Sequence, residues 1–203
     1  MGILLLILMG IRLFEKEKLI ISAQFDIDSK TIDSALNLMN KTQGNGLFKR
    51  DYLETKIKSP DAIVYFAFYE NKVIAVGCAE LINQFNYYES FEKGISKRLE
   101  NKKVGSLCTL GVDKQFQGLG IGSLITQMRL DWLKNQNIDS ILGISWVSGE
   151  TFTSKDIFEK FHFKKINEIE NFFYESSIQN PFYCPGCRVS PCVCSAILFE
   201  LNF

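Results

Sequence analysis

Two short stretches of this chain carry residue types at spacings that can do chemistry. The first is Gln117-Gly118-Leu119-Gly120-Ile121-Gly122-Ser123, a glycine-rich turn between a strand-like run and an amphipathic helical one. Its glycines let the backbone turn and approach a ligand without steric cost. The amides from Gly118 to Ser123 would then face outward at a helix N-terminus, where unsatisfied donors and the helix dipole favour an anion such as a pyrophosphate. A Walker pattern is excluded, because no Gly-Lys-Ser/Thr follows. A dinucleotide fingerprint would want an early βαβ unit and an acid closing the next strand, and neither is present. The competing reading is a glycine turn that only permits tight packing.

The second stretch is Cys184-Pro185-Gly186-Cys187 followed by Cys192-Val193-Cys194, a C-x2-C-x4-C-x-C spacing. A C-x2-C turn brings two sulfurs to one side, and residues i and i+2 of a strand share a face. Four thiolates could thus converge on a tetrahedral Zn²⁺, with Pro181, Pro185, Gly186 and Pro191 supplying the bends. Free or redox-active thiols, an iron–sulfur site and disulfides compete with zinc, the last disfavoured in a chain with no convincing signal peptide. A bound zinc would be structural, since four protein thiolates leave no open position. The other two cysteines, Cys78 and Cys108, lie in apolar runs and read as small buried hydrophobes.

These groups must be positioned by a series of periodic segments. Residues 18–26 read as a strand, and Asp28 or Ser29 caps a helix over about 30–41. A helix over 50–58 ends at Ser59-Pro60. Residues 62–69 and 73–81 form a hairpin around Glu70-Asn71-Lys72. Residues 83–103, aromatic and then charged, form a long insertion with a short helix, of a length more common in functional loops than in idle connectors. A strand over 104–112 leads into the glycine turn. A helix over about 121–136 follows, its stripe made of Ile121, Leu124, Ile125, Met128 and Trp132. A strand over 139–147, a short helix over 153–161 and strands over 163–175 and 195–202 complete one domain, with the cysteine-rich insertion 181–195 between the last two strands.

Bulk properties narrow the function. The 203 residues suit one domain of ordinary size. Twenty-three basic residues balance 23 acidic ones, so neither nucleic acid nor a membrane surface is expected as a partner. The single histidine, His162, disfavours a His-rich metal site or a Ser-His-Asp hydrolase. Met1 to Met9 is apolar but far shorter than the ~20 residues of a membrane span. Three readings of the 1–17 arm stay open: a start upstream of the natural Met9, a packed strand or arm, and a membrane anchor. A cytoplasmic location is expected; the oligomeric state, a homodimer included, is open.

Taken together, Leu110-Gly111-Val112-Asp113-Lys114-Gln115-Phe116-Gln117-Gly118-Leu119-Gly120-Ile121-Gly122 resembles the acetyl-CoA-binding segment of the GNAT superfamily of N-acetyltransferases. The order of elements from about residue 18 is similar as well. The resemblance implies an α/β (α+β) fold with a mixed, mostly antiparallel sheet flanked by helices. It implies that Leu110, Gly111 and Val112 bond pantetheine through their backbone, and that Gly118, Leu119, Gly120, Ile121, Gly122 and Ser123, after Gln117, hold the pyrophosphate. Amides near the end of the 104–112 strand would stabilise the oxyanion of acyl transfer.

The chain departs from that family where catalysis is finished. An amine must be neutral to attack, and a base helps by about 10²- to 10⁴-fold. Ser106-Leu107-Cys108-Thr109 offers no carboxylate; Glu80 is the nearest candidate, with a plain surface charge as its competing role. The family's thiolate-protonating tyrosine falls on Phe158, and its usual glycine on His162, which reads as structural more than as a replacement acid. Thr151 stands where a CoA-contacting asparagine is common. The expected function is direct acetyl transfer from acetyl-CoA to a small-molecule or peptide amine. A weakly catalytic CoA-binding sensor or adaptor, and an interaction protein working through the cysteine knuckle, are the alternatives.

Overall fold

A computed structural model describes residues 18–23, 27–148 and 154–203. The apolar arm 1–17 and Thr151 lie outside the described residues, as do 24–26 of the expected first strand. Seven strands form one sheet in the order β1-β2-β3-β4-β5-β7-β6. They are β1 (Leu19–Ala23), β2 (Ala62–Tyr69), β3 (Lys72–Ile82), β4 (Val104–Val112), β5 (Ser140–Val147), β6 (Lys164–Ile169) and β7 (Ser195–Asn202). Every neighbouring pair is antiparallel except β4 with β5. No helix among the described residues is long and apolar enough to cross a membrane.

Helices cover the sheet where the sequence periodicity places them. Helix α1 (Ser29–Gln43) begins where the Asp28 carboxylate accepts from the Thr31 amide at 2.7 Å, satisfying one of the four unpaired donors of its first turn. It buries Ile32, Ala35, Leu38 and Met39, and α2 (Arg50–Lys58) adds Leu53 to the same core. Helix α4 (Ile121–Lys134) lies near β3 and β4 and buries Ile121, Ile125, Leu130 and Leu133. Of the expected stripe, Ile121 and Ile125 are buried while Leu124, Met128 and Trp132 are half-buried, and the buried face also contains Arg129. The reason is local: β4 bulges at Cys108-Thr109 opposite Cys78, so the ladder to β3 skips a rung. Arg129 donates to the carbonyls of Cys78 at 3.1 Å and Thr109 at 3.2 Å, and to Thr126 Oγ1 at 2.8 Å. The bulge needs a donor, and a buried guanidinium supplies it; burial pulls its pKa down to about 10.

The insertion 83–103 is packed down along most of its length. Around its short helix α3 (Ile95–Arg98), Phe85, Tyr88, Phe91, Ile95 and Leu99 bury against Val104, Leu142, Ala196 and Leu198. Arg98 clamps it by bridging Glu92 (2.7 Å) and the buried Glu200 of β7 (2.9 Å).

The expected strand 163–175 is corrected. Strand β6 stops at Ile169, Asn171 takes a left-handed φ of 52°, and helix α6 (Tyr174–Gln179) follows. Asn tolerates that backbone. The aromatic run Phe172-Phe173 fooled the alternation, because its rings pack against Phe91 and Trp146 and do not continue the ladder. Helix α5 (Ser154–Lys160) ends with His162 at φ 62°. The Phe163 amide bonds the Phe158 carbonyl at 3.0 Å, and that of His162 the Glu159 carbonyl, also at 3.0 Å. This closure usually takes glycine, which explains both the family's residue there and the structural role of His162.

Phe158 lies in the core, stacked on Phe199 at 4.9 Å with 9° between the planes. Its ring covers Gly143 so closely that a Cβ there would overlap it. Gly143→Ala should therefore lower the unfolding free energy by about 1–3 kcal/mol through overpacking. Urea denaturation checks this, and Phe158→Leu in the same chain should recover part of the loss.

Candidate active site

Strands β4 and β5 pair for only four rungs, from Val104↔Ser140 to Leu107↔Gly143. Beyond Leu107, β4 continues to Val112 on the arm of β3, while β5 continues to Val147 on the arm of β7. The two arms part, and the edge of β4 facing the gap keeps backbone groups with no strand opposite them. A slot of this kind accepts an extended, amide-bearing ligand as an extra strand would be accepted.

The glycine turn stands at the far end of the β4 arm. Gly118 (φ 76°) and Gly120 (φ 84°) adopt left-handed backbone, and a Cβ on either would meet nothing within 4 Å. Their side is therefore open, and only the backbone conformation demands glycine. Gly120 is the N-cap of α4 and gives no side-chain cap, so the first helical amides lack an intrahelical acceptor. The Gln117 side-chain amide donates to the Val112 carbonyl at 2.9 Å, tying the turn to β4. A Cβ on Gly122 would come within 3.3 Å of Ile157, while Leu119 and the buried Ile121 anchor the turn in the core. Gly111 backs onto α1, where a Cβ would sit 2.7 Å from Thr42 Oγ1. Of the expected binding residues, Leu110 to Val112 close β4 and Gln117 to Ser123 lead into α4, with the tight turn Lys114–Phe116 between them. Sequence reasoning missed Lys160, whose ammonium donates to Ser123 Oγ at 3.1 Å and adds a cation to the turn.

The slot opens at its other end into a cavity of about 780 Å³. Its walls include Ser106 to Thr109 of β4, Glu80 of β3, Tyr52 and Asp51 of α2, Tyr87 and Tyr88 of the insertion, and Trp146, Phe173 and Phe182 on the β5 side. Glu80 lies opposite Ser106, six residues along β4 from Val112, which is about 20 Å at the rise of a strand.

Glu80 is ion-paired with Lys56 of α2. Its other oxygen accepts from Cys108 Sγ at 3.2 Å. Burial works against the Lys56 charge, but Glu80 and its neighbours raise its pKa overall. Cys108 is therefore more than a buried hydrophobe: it is half-buried, lines the cavity and touches the carboxylate. Its hydrogen-bond partner Cys78 and its burial push its pKa up, which keeps it a thiol. The Tyr52 hydroxyl lies 3.1 Å from Thr109 Oγ1, and that of Tyr88 3.4 Å from Ser106 Oγ. Burial raises both phenols, Tyr88 to about 12. Neither tyrosine stood out in the sequence; only the fold brings α2 and the insertion to the bulge of β4. Phe158 and His162 are absent from the cavity wall.

The four clustered cysteines also come together. Their sulfurs all lie within 4.8 Å of one another, with Cys184–Cys194 at 3.6 Å and Cys187–Cys192 at 3.7 Å. A disulfide would need about 2.05 Å. A tetrahedron with Zn–S bonds of about 2.3 Å has edges of about 3.8 Å, so the donor set fits zinc in type, number and spacing. The Cys187 amide points at Cys184 Sγ, 3.4 Å away. Burial pushes the Cys194 thiol up to about 11 against the pull of the nearby Trp146 indole N–H.

Comparison with known proteins agrees with this geometry. No curated protein is matched by the sequence. Among solved structures, the ribosomal-protein-S18-alanine N-acetyltransferase from Escherichia coli is similar with a TM-score of 0.59 at 11% identity, over 91% of this chain and 93% of that one. NAA60 of Arabidopsis thaliana, in complex with a bisubstrate analogue, gives a TM-score of 0.64 at 10% identity, over 90% and 98%. Naa50 of the same plant, in complex with the bisubstrate analogue CoA-Ac-MVNAL, gives 0.58 at 17% identity, over 92% and 99%. At such identities these likenesses speak for the fold. The sequence itself matches the model of the Acetyltransferase (GNAT) family over residues 32–163, and the chain belongs to that family.

Proposed function

We propose that this protein is an N-acetyltransferase that passes the acetyl group of acetyl-CoA directly to an amine, as one acyltransferase unit. The observation that carries the reading is the parting of β4 from β5 between a glycine turn built for phosphate and a cavity that holds carboxylates. Pyrophosphate would rest on the amides of Gly118 to Ser123 beside Lys160. Pantetheine would bond the β4 edge at Leu110, Gly111 and Val112. The thioester would then reach the bulge at Cys108-Thr109, where backbone amides stabilise the oxyanion.

The amine arrives as an ammonium, with a pKa near 10.4 for a lysine-like group. Glu80, held by Lys56, accepts its proton directly or through one water, and the neutral amine attacks the carbonyl. The CoA thiolate is a good leaving group, so the phenylalanine at position 158 does not prevent transfer. Asp51 and Glu80 face the cationic head of the acceptor, and the rings of Tyr87, Trp146, Phe173 and Phe182 suit an apolar or aromatic substituent beside it. The two bisubstrate complexes among the similar structures support transfer without a covalent enzyme intermediate. We assign the four-cysteine centre to structural zinc.

Incubation of acetyl-CoA with a panel of amines, followed by release of free thiol, tests the activity. Acceptor-dependent release is expected; tight CoA binding without it would favour a CoA-binding sensor. Glu80→Gln should lower kcat/KM for the acceptor by about 100-fold or more, the size of a lost base, with the CoA dissociation constant unchanged in calorimetry. Lys160→Ala should weaken CoA about fivefold, equivalent to about 1 kcal/mol, and leave the acceptor KM alone.

A further inference from the structure

Opposite β3, strand β5 gives the cavity wall only Ile144 and Trp146, and the rest is not made by the sheet. It comes from the segment Phe173 to Phe182, which contains α6, and from the α1–α2 loop at Gly46 to Lys49. Helix α6 has six residues, too few to hold itself. Three sets of contacts place it. Phe173 stacks on Trp146 at 4.4 Å, and Phe182 meets the same indole edge-on at 5.7 Å. The Ser177 hydroxyl accepts from the Cys192 amide at 2.8 Å. Asn45 and Tyr183 exchange two backbone hydrogen bonds, of 2.9 and 3.0 Å, which joins the segment to the α1–α2 loop.

Every one of these contacts leads to the cysteine centre. Tyr183 directly precedes Cys184, and Cys192 is itself one of the four sulfurs. Phe182 and three of the cysteines form one buried cluster, with Trp146, Phe173 and Cys187 packed on it. Gly186 sits so close to Ser148, just past β5, that a Cβ would overlap its side chain. Thiols without a cation offer this cluster only weak contacts, whereas four thiolates bound to one ion release their protons and cross-link residues 184 to 194. The glycine turn depends on none of this, since Gln117 ties it to β4 and Lys160 ties it to α5.

We infer that the tetrathiolate centre is a positioning element of the acceptor site: a metal ion held by Cys184, Cys187, Cys192 and Cys194 orders the wall 173–183 and, through the Asn45–Tyr183 bridge, the α1–α2 loop, so that occupancy governs acceptor binding and leaves CoA binding unchanged. This rests on the N-acetyltransferase reading for what the wall binds, but the coupling itself can be measured without turnover.

The test compares the full chain loaded with Zn²⁺ with the same chain stripped by a chelator. One zinc per chain is expected in native mass spectrometry. On stripping, hydrogen exchange at the amides of Asn45 and Tyr183 should accelerate at least tenfold, while the β4 amides and the CoA dissociation constant stay within twofold. Acceptor KM should rise at least tenfold with kcat within threefold. Tyr183→Pro, which removes one bridge donor and spares all four sulfurs, should keep the zinc, speed exchange at Asn45 and raise KM in the same way. A chain that retains no zinc after supplementation overturns the proposal. So do unchanged exchange and KM on stripping, a stripped chain that unfolds or loses CoA, and a Tyr183→Pro chain with the KM of the parent. If no amine supports turnover by the loaded chain, the acetyltransferase reading falls, and the exchange and CoA measurements still decide the coupling.

Discussion

The parting of β4 from β5 after Leu107 and Gly143 is the constraint on which the rest of the molecule depends. A parallel pair that stays zipped would leave no slot, and one that never formed would leave two separate sheets. Four rungs are enough to join the arms because each strand has a full antiparallel partner on its other side. The bulge at Cys108-Thr109 sits at the first residue past the last rung, and its surplus carbonyl is taken by Arg129. A buried cation thus holds the backbone of the bulge where the two arms part.

Around that gap the two halves of the site are built on different principles. The turn side is a matter of backbone: left-handed glycines, a helix N-terminus without a side-chain cap, and the β4 edge left by the parting. The cavity side is a matter of side chains drawn from α2, β3, the insertion and the segment after β6. Phe158 belongs to neither. Its ring fills the crotch over Gly143 and stacks on Phe199, so this position serves packing. The carboxylate of Glu80 and the phenols of Tyr52 and Tyr88 bring the polar groups back into the cleft from other elements.

The amino-acid sequence determined the order of elements, the glycine turn, the capped α1 and the four-cysteine spacing, because each is a local matter of periodicity, backbone freedom or ligand interval. It misread residues 163–175, where two adjacent phenylalanines imitate a strand but pack as anchors for a turn and a short helix. Nothing in its local pattern marked Arg129 as buried, because the inward donor is demanded by a bulge between two strands. Only the tertiary structure decided that Glu80 meets Lys56 and Cys108, that Tyr52 and Tyr88 face the bulge, and that the cysteine centre stands beside the cleft. Those relations join residues tens of positions apart through strand pairing and helix packing, and no local pattern in the chain encodes such distances.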